Sequence, residues 1–248
     1  MGVGSPPALR PPPGSLAETP HRTAPPAAAP CSLVGLPARR GTRLLTHLGL
    51  FARVVQKISD HPVLFIFLRG ILENDFRAIR ATIRRELGLG PGVRTLDLGC
   101  GPGAFADLFD KGDYVGVDLN SRYIDHARRT RKGAFVVGDA RAVDLPDGRF
   151  DQILIFGLLH HLPDADVRAV LSECRRLLAS GGRLLVIEDI PTMSRLNLIG
   201  HLIHRVENGE FIRPVEDYRR LYDGTGRLEH ELVMQSGICD YYAAVLVT

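Results

Sequence analysis

The chain has 248 residues, 45% hydrophobic, 24% charged and 6% aromatic with no Trp, which suits one large globular domain or two small ones. No apolar run approaches the roughly eighteen residues of a spanning helix, and the stretch from Val63 to Leu68 stops at Arg69. The formal charge of +3 is uneven: residues 1–60 carry seven Lys/Arg against Glu18 and Asp60, whereas residues 61–248 carry 24 basic against 26 acidic residues. The basicity therefore belongs to the start of the chain, and the body is too acidic to suggest a phosphate-binding groove, so no nucleic-acid partner is expected.

Residues 1–42 read as a disordered leader. The first forty hold ten of the seventeen prolines, seven alanines and no aromatic residue, too little apolar surface to offset the entropy of ordering. The segment has neither the apolar core of a secretory signal nor, with that proline content, the amphipathic helix of a transit peptide. A start mis-assigned upstream of about Val34 is the alternative. Four cysteines, Cys31, Cys100, Cys174 and Cys239, lie far apart with no CxxC pair, which fits reduced thiols in a cytoplasmic protein.

From residue 43 the pattern is helical. Leu44, Leu48, Phe51, Val55 and Ile58 recur at steps of four and three, and the run ends at Asp60-His61-Pro62. Leu72, Phe76, Ile79, Ile83 and Leu87 give a second amphipathic face that ends at Gly88. Residues 43–90 are thus an N-terminal helical cap. After Pro91 the period changes. Strands are expected over 94–98, 114–118, 134–137, 151–156 and 183–187, with helices over 104–109, 122–130 and 164–178 between them. Alternation of this kind builds βαβ units and a mostly parallel sheet with helices on both faces. Two further strands, 228–234 and 238–247, flank Gln235-Ser236-Gly237 as an antiparallel β-hairpin. The fold class is α/β, Rossmann-like and seven-stranded.

The first βα turn reads Asp97-Leu98-Gly99-Cys100-Gly101-Pro102-Gly103, where glycines let the backbone turn sharply and approach a ligand closely. Asp118 ends the next strand, nineteen residues after Gly99, where a carboxylate can accept both hydroxyls of a ribose. Asp139 ends the third strand and could accept from an adenine amino group. Each acid alone could be a helix cap or turn residue. Their joint placement argues for a nucleoside site, although the spacing GxGxG differs from the GxGxxG of dinucleotide binders.

On these residues the chain resembles the class I S-adenosylmethionine-dependent methyltransferases, small-molecule branch, over about residues 90–248. The glycine motif matches Asp97 to Gly103; the ribose acid matches Asp118, and the adenine-reading acid matches Asp139. Phe150 to Phe156 matches the fourth strand, Leu159-His160-His161-Leu162 a loop of that branch, and Leu177 to Leu184 the turn into the fifth strand, with Ser180 where proline is usual. The resemblance implies S-adenosyl-L-methionine as cofactor, held by Asp97, Gly99, Cys100, Gly101, Gly103, Asp118, Leu119, Asp139, Ala140 and Phe156. The domain would run over 91–248, with a lid insertion over about 191–223.

Methyl transfer from a sulfonium needs positioning and water exclusion, and a base only where the acceptor arrives protonated. His160 and His161, after the fourth strand, are the candidates for base or acceptor orientation, against a packing or helix-capping role. Glu188 and Asp189 end the fifth strand, and Tyr218, Asp240 and Tyr241 fall where they can approach the ligand edge. His201 and His204, three apart on an apolar helical run from Leu196 to Val206, are further acceptor-site candidates on the lid; they lack the further ligands a metal would need, so no metal is expected.

The expected function is methylation, at O, C or N, of a small apolar or aromatic acceptor. The alternatives are a lipid or quinone methyltransferase resting on the membrane surface through the basic first helices, a cofactor-binding regulator without catalysis, and an NAD-dependent reductase. The motif [ND]PP[YF] of exocyclic base-amine methylation is replaced by Phe156-Gly157-Leu158-Leu159.

Overall fold

The computed structural model describes residues 70–71, 73–194, 197 and 211–248. The chain divides into two units, Met1–Gly41 and Thr42–Thr248, and every described residue lies in the second. The leader, the helix expected over 44–58, and residues 195–196 and 198–210 of the lid insertion, His201 and His204 among them, fall outside the described residues.

Seven strands form one sheet in the order β3-β2-β1-β4-β5-β7-β6. They are β1 (Arg94–Leu98), β2 (Asp113–Asp118), β3 (Ala134–Val137), β4 (Phe150–Phe156), β5 (Leu178–Asp189), β6 (Arg227–Ser236) and β7 (Cys239–Val247). The pairings β1 with β2 and β4, β2 with β3, and β4 with β5 are parallel. β7 runs antiparallel to both β5 and β6, so β6 points the same way as the parallel strands. The hairpin turn at Gly237 therefore lies at their carboxyl edge, where open α/β sheets bind ligands.

Helices α1 (Arg77–Glu86), α2 (Ser121–Thr130), α3 (Asp164–Leu177) and α4 (Val215–Tyr222) cover the sheet. Their ends suit the helix dipole. Asp164 and Asp166 open α3, Glu216 and Asp217 open α4, and arginines close all four. The Asn120 side chain caps α2 by accepting from Arg122 N at 3.0 Å.

Strand periodicity divides the core into two layers. Along β4, Ile153 and Ile155 pack with Leu184 and Val186 beneath α3 and α4, while Leu154 packs with Leu185 and Ile187 beneath α1. Both layers are apolar and fully buried at their centres, as expected of parallel strands covered on both faces.

Three expectations are corrected. The helix over 104–109 is a single 3-10 turn, Ala106–Phe109, because the glycine loop occupies the residues before it. The fifth strand begins at Leu178 rather than Arg183, since Leu178 pairs with Phe150 across an irregularity in register that takes up Gly181 and Gly182. The helix ending at Leu87 is interrupted at Asn74–Phe76, whose φ angles of 52°, 55° and 54° are left-handed. That conformation costs roughly 1–2 kcal/mol per residue. Tertiary bonds oppose it: Ser236 Oγ donates to Glu73 O, and Tyr241 Oη donates to Glu73 Oε2 at 2.6 Å.

Candidate active site

The glycine loop is fastened to β2. Gly99 N and Cys100 N both donate to Val117 O, at 2.8 and 3.0 Å, and Gly101 N donates to Asp118 Oδ2 at 2.8 Å. Asp118 Oδ1 accepts from Asn120 N at 2.8 Å. Each oxygen thus uses one lone pair on the backbone and keeps one for a ligand hydroxyl. Burial raises the Asp118 carboxyl above its ordinary range, against the pull of those two N–H groups. Leu119, 73% exposed beside it, offers an apolar surface.

Asp97 lies beneath the loop, fully buried, and accepts from Tyr114 Oη at 2.6 Å. Burial pushes its carboxyl up to about 7, Tyr114 opposes that shift, and the Asp118 charge adds to it. Gly101 has φ +53°, and a Cβ there would meet nothing within 4 Å, so the loop faces open space at that point. The Cys100 side chain faces the core, with Sγ against Gly116 and a thiol raised well above its usual range by burial. Phe156 packs edge-on against Phe76 and Phe105, at 5.9 and 5.1 Å between centroids.

Asp139 is already engaged. Its oxygens accept from Arg141 N, Nε and Nη2 at 2.6–3.1 Å, and Arg141 also bridges to Asp166. The guanidinium holds the Asp139 carboxyl below its ordinary value. Ala140, beside it, is partly buried against the core. An adenine amino group would have to displace Arg141 or be read by the backbone instead.

The fourth-strand loop abuts the glycine loop: a Cβ on Gly99 would meet the Leu158 side chain at 3.2 Å. Glu188, wholly buried at the end of β5, holds this loop. Its carboxylate accepts from Leu158 N, Leu159 N and His160 N at 2.7–3.2 Å and pairs with His160 Nδ1 at 2.9 Å. His160 is buried, while His161 is exposed with its ring 4.1 Å from that of His160. Arg213 supports the same turn from below, donating to Leu159 O and Leu162 O and pairing with Asp164.

Asp189 differs from Glu188. It is 1% exposed, its Oδ2 lies 3.7 Å from His160 Nδ1, and neither oxygen accepts a hydrogen bond from the described residues. Tyr218 Oη donates to the Asp189 carbonyl at 3.2 Å, and Tyr241 pairs with Asp189 in the sheet while bonding Glu73. Asp240 Oδ2 accepts from Met193 N at 2.9 Å. Tyr218 and Tyr241 therefore brace the carboxyl edge through buried bonds, and Asp240 through a part-buried one. Among the described residues no group of three or more His, Cys, Asp or Glu side chains is arranged to hold a metal ion.

The sequence did not disclose the Tyr114–Asp97 bond, the Arg141 cover on Asp139 or the Glu188 clamp. Only the adjacent acids at the end of β5 hinted at the last of these.

Residues 95–182 match the family model described as a methyltransferase domain. The chain is 43% identical over 113 residues to a demethylmenaquinone methyltransferase of Beutenbergia cavernae, covering 44% of this chain and 45% of that protein. It is 36% identical over 140 residues to a fatty-acid O-methyltransferase of Mycolicibacterium smegmatis, covering 50% of each. The chain spans about half the length of these curated relatives. A SAM dependent methyltransferase from Archaeoglobus fulgidus shares the fold, with TM-score 0.57 and 20% identity over 74% of this chain and 99% of that one. Residues 95–182 therefore carry a methyltransferase domain, on a fold shared with solved S-adenosylmethionine-dependent methyltransferases. The site fits that cofactor. Asp118 has lone pairs left for a ribose diol, Leu119 can cover a planar base, and the open face of Gly101 leaves room for the chain of the ligand.

Proposed function

We propose that this protein transfers a methyl group from S-adenosylmethionine to a small apolar or aromatic acceptor. The observation that carries the reading is the joint geometry of Asp118 and Gly101: a carboxylate with lone pairs to spare beside a loop open to solvent where a side chain would stand. The cofactor, when bound, supplies an activated methyl on a positive sulfur. The chain's own residues then bind, orient and exclude water. Asp118 would hold the ribose, Asp97 would brace the glycine loop from beneath, and Leu119 would cover the base. Asp139 and Ala140 would read the base edge once Arg141 moves aside. Cys100 would contribute its backbone, since its thiol faces the core. Phe156 would support the glycine-loop side of the site from within its aromatic cluster. His160, fixed by Glu188 at 2.9 Å, and His161 would orient the acceptor at the edge of β4.

The names of the matching relatives support an apolar acceptor, since one acts on demethylmenaquinone and another on fatty acids. They also favour a second reading, in which the acceptor is drawn from a membrane surface. No helix among the described residues is long and apolar enough to cross a membrane. The slight acidity of residues 61–248 supports a small-molecule acceptor over a nucleic acid.

Calorimetry should show S-adenosylmethionine binding in preference to NAD, and an acceptor panel should yield S-adenosylhomocysteine. Preferential NAD binding would overturn the reading. Binding of S-adenosylmethionine without product across a broad panel would point to a regulator instead. Flotation of the full chain with anionic liposomes tests the membrane reading, which absence of co-flotation sinks.

A further inference from the structure

We propose that Asp189 is the acceptor-binding carboxylate of this site, and that it selects a neutral hydroxyarene over an anionic acceptor such as a fatty-acid carboxylate. The inference rests on the methyltransferase reading above and names the acceptor class of the same site.

Asp189 stands at the carboxyl edge of β5, 1% exposed, with neither oxygen hydrogen-bonded among the described residues. Buried carboxylates are normally satisfied, and an orphaned one marks a group waiting for a partner. Its neighbours show the contrast. Glu188, one residue earlier, spends both oxygens on three backbone N–H groups and His160. Asp240 accepts from Met193 N. Tyr218 donates to the Asp189 carbonyl rather than to the carboxylate. His160 Nδ1 points first to Glu188 at 2.9 Å and stays 3.7 Å from Asp189. The position is also continuous with the cofactor loop, through Leu158 against Gly99 and through Glu188 holding Leu158.

An unmet acceptor pair calls for a proton donor. A phenolic hydroxyl supplies one, and a hydrogen bond to a carboxylate is among the stronger neutral-to-charged contacts. An incoming carboxylate would instead meet Asp189 beside Glu188, with the Arg213 cation already bound to Asp164 and three backbone carbonyls. Like charges this close act as a filter against the wrong acceptor. In the step itself the acceptor O–H bond breaks and its proton passes to an Asp189 oxygen. The bond from methyl to the acceptor oxygen forms as the methyl–sulfur bond breaks, and that electron pair stays on sulfur. The proton then leaves Asp189 for water.

The full chain should first bind S-adenosylhomocysteine in calorimetry; failure there sinks the methyltransferase reading itself. With that product cofactor bound, 3-nitrophenol at pH 7, where it is mostly the neutral phenol, should bind with a red-shifted absorption band, and palmitate should not displace it. Asp189→Asn should abolish the shift and weaken nitrophenol at least ~10-fold, while leaving cofactor affinity within about twofold. In turnover of 1-naphthol and hydroquinones the same variant should lose at least ~100-fold in kcat/KM, and Asp189→Glu should recover part of it. A wild-type protein that binds the cofactor product but gives no nitrophenol shift overturns the proposal. So does an Asp189→Asn variant within about threefold of wild type, or faster turnover of palmitate than of any hydroxyarene. If Asp189→Asn fails to fold, the displacement experiment on wild type still decides.

Discussion

Tyr114 on β2 donates a 2.6 Å hydrogen bond to Asp97 on β1, and both side chains are buried beneath the glycine loop. Burial dominates the outcome: the Asp97 carboxyl rises to about 7 despite that bond. The folded protein therefore holds a proton on Asp97 that the unfolded chain releases near pH 4. Stability from this group is fully present below pH 4 and is lost as pH rises through about 7. Urea unfolding should show a loss of about 2–3 kcal/mol between pH 5 and pH 8 relative to Asp97→Asn. Tyr114→Phe, by removing a bond that favours the ionised acid, should move the loss to higher pH. Parallel pH profiles for wild type and Asp97→Asn would refute the assignment.

Gly101 and Gly116 should separate binding from folding. A Cβ on Gly101 meets nothing within 4 Å, so Gly101→Ala carries only the left-handed backbone cost, about 1 kcal/mol, while intruding where the cofactor is proposed to lie. A Cβ on Gly116 would stand 2.8 Å from Cys100 Sγ and from Phe135 Cδ1, and overpacking of that kind costs about 1–3 kcal/mol. Thermal melts should fall more for Gly116→Ala, and cofactor affinity should fall more for Gly101→Ala. The reverse order would mean that the loop does not face the cofactor.

Asp118→Ala should weaken cofactor binding by roughly 1–3 kcal/mol, the cost of leaving ribose hydroxyls without their acceptor. The same change frees Gly101 N and Asn120 N, so a modest drop in melting temperature should accompany it. Calorimetry with S-adenosylhomocysteine reads the first effect and scanning fluorimetry the second. Unchanged affinity in a folded variant would remove Asp118 from the site.

The pattern of legibility follows from how each feature is encoded. β1 and β3 appear over the expected residues, because short β-prone runs closed by a glycine turn are local signals. The left-handed break at Asn74–Phe76 was invisible, because bonds from Ser236 and Tyr241, more than 160 residues away, oppose its cost. Asp118 and Asp139 stand out in the sequence by their places at strand ends, and Asp97 by its place before the glycine motif. Their states do not. Whether Asp139 is free or covered depends on Arg141, and whether His160 can move depends on Glu188, contacts that only folding brings about.

Arg141 gives a prediction the sequence could not offer. Its guanidinium occupies both oxygens of Asp139 and reaches Asp166 at 3.0 Å, all near the surface. Exposed pairs contribute little to stability, roughly 0–1 kcal/mol, so Arg141→Ala should leave melting nearly unchanged. It would expose a carboxylate that can accept from the adenine amino group. S-adenosylhomocysteine should then bind up to several-fold more tightly, with less effect on an analogue lacking that amino group. Weaker binding would instead assign Arg141 itself to the cofactor.

Asp189 gives the last prediction, because its cost to folding and its proposed use act in opposite directions. A carboxylate at 1% exposure with neither oxygen hydrogen-bonded among the described residues, and only His160 Nδ1 at 3.7 Å, has lost most of its hydration, a penalty of about 1–3 kcal/mol. Asparagine has nearly the same shape and no charge to desolvate, so Asp189→Asn should raise the melting temperature by a few degrees. Glu188→Gln should do the opposite, since it weakens a carboxylate that accepts four hydrogen bonds from the fourth-strand loop. Adjacent acids on one strand would thus respond with opposite signs. Scanning calorimetry of the two variants tests this directly: a fall in melting temperature for Asp189→Asn would mean that Asp189 stabilises the fold, rather than being retained at a cost to stability for the acceptor.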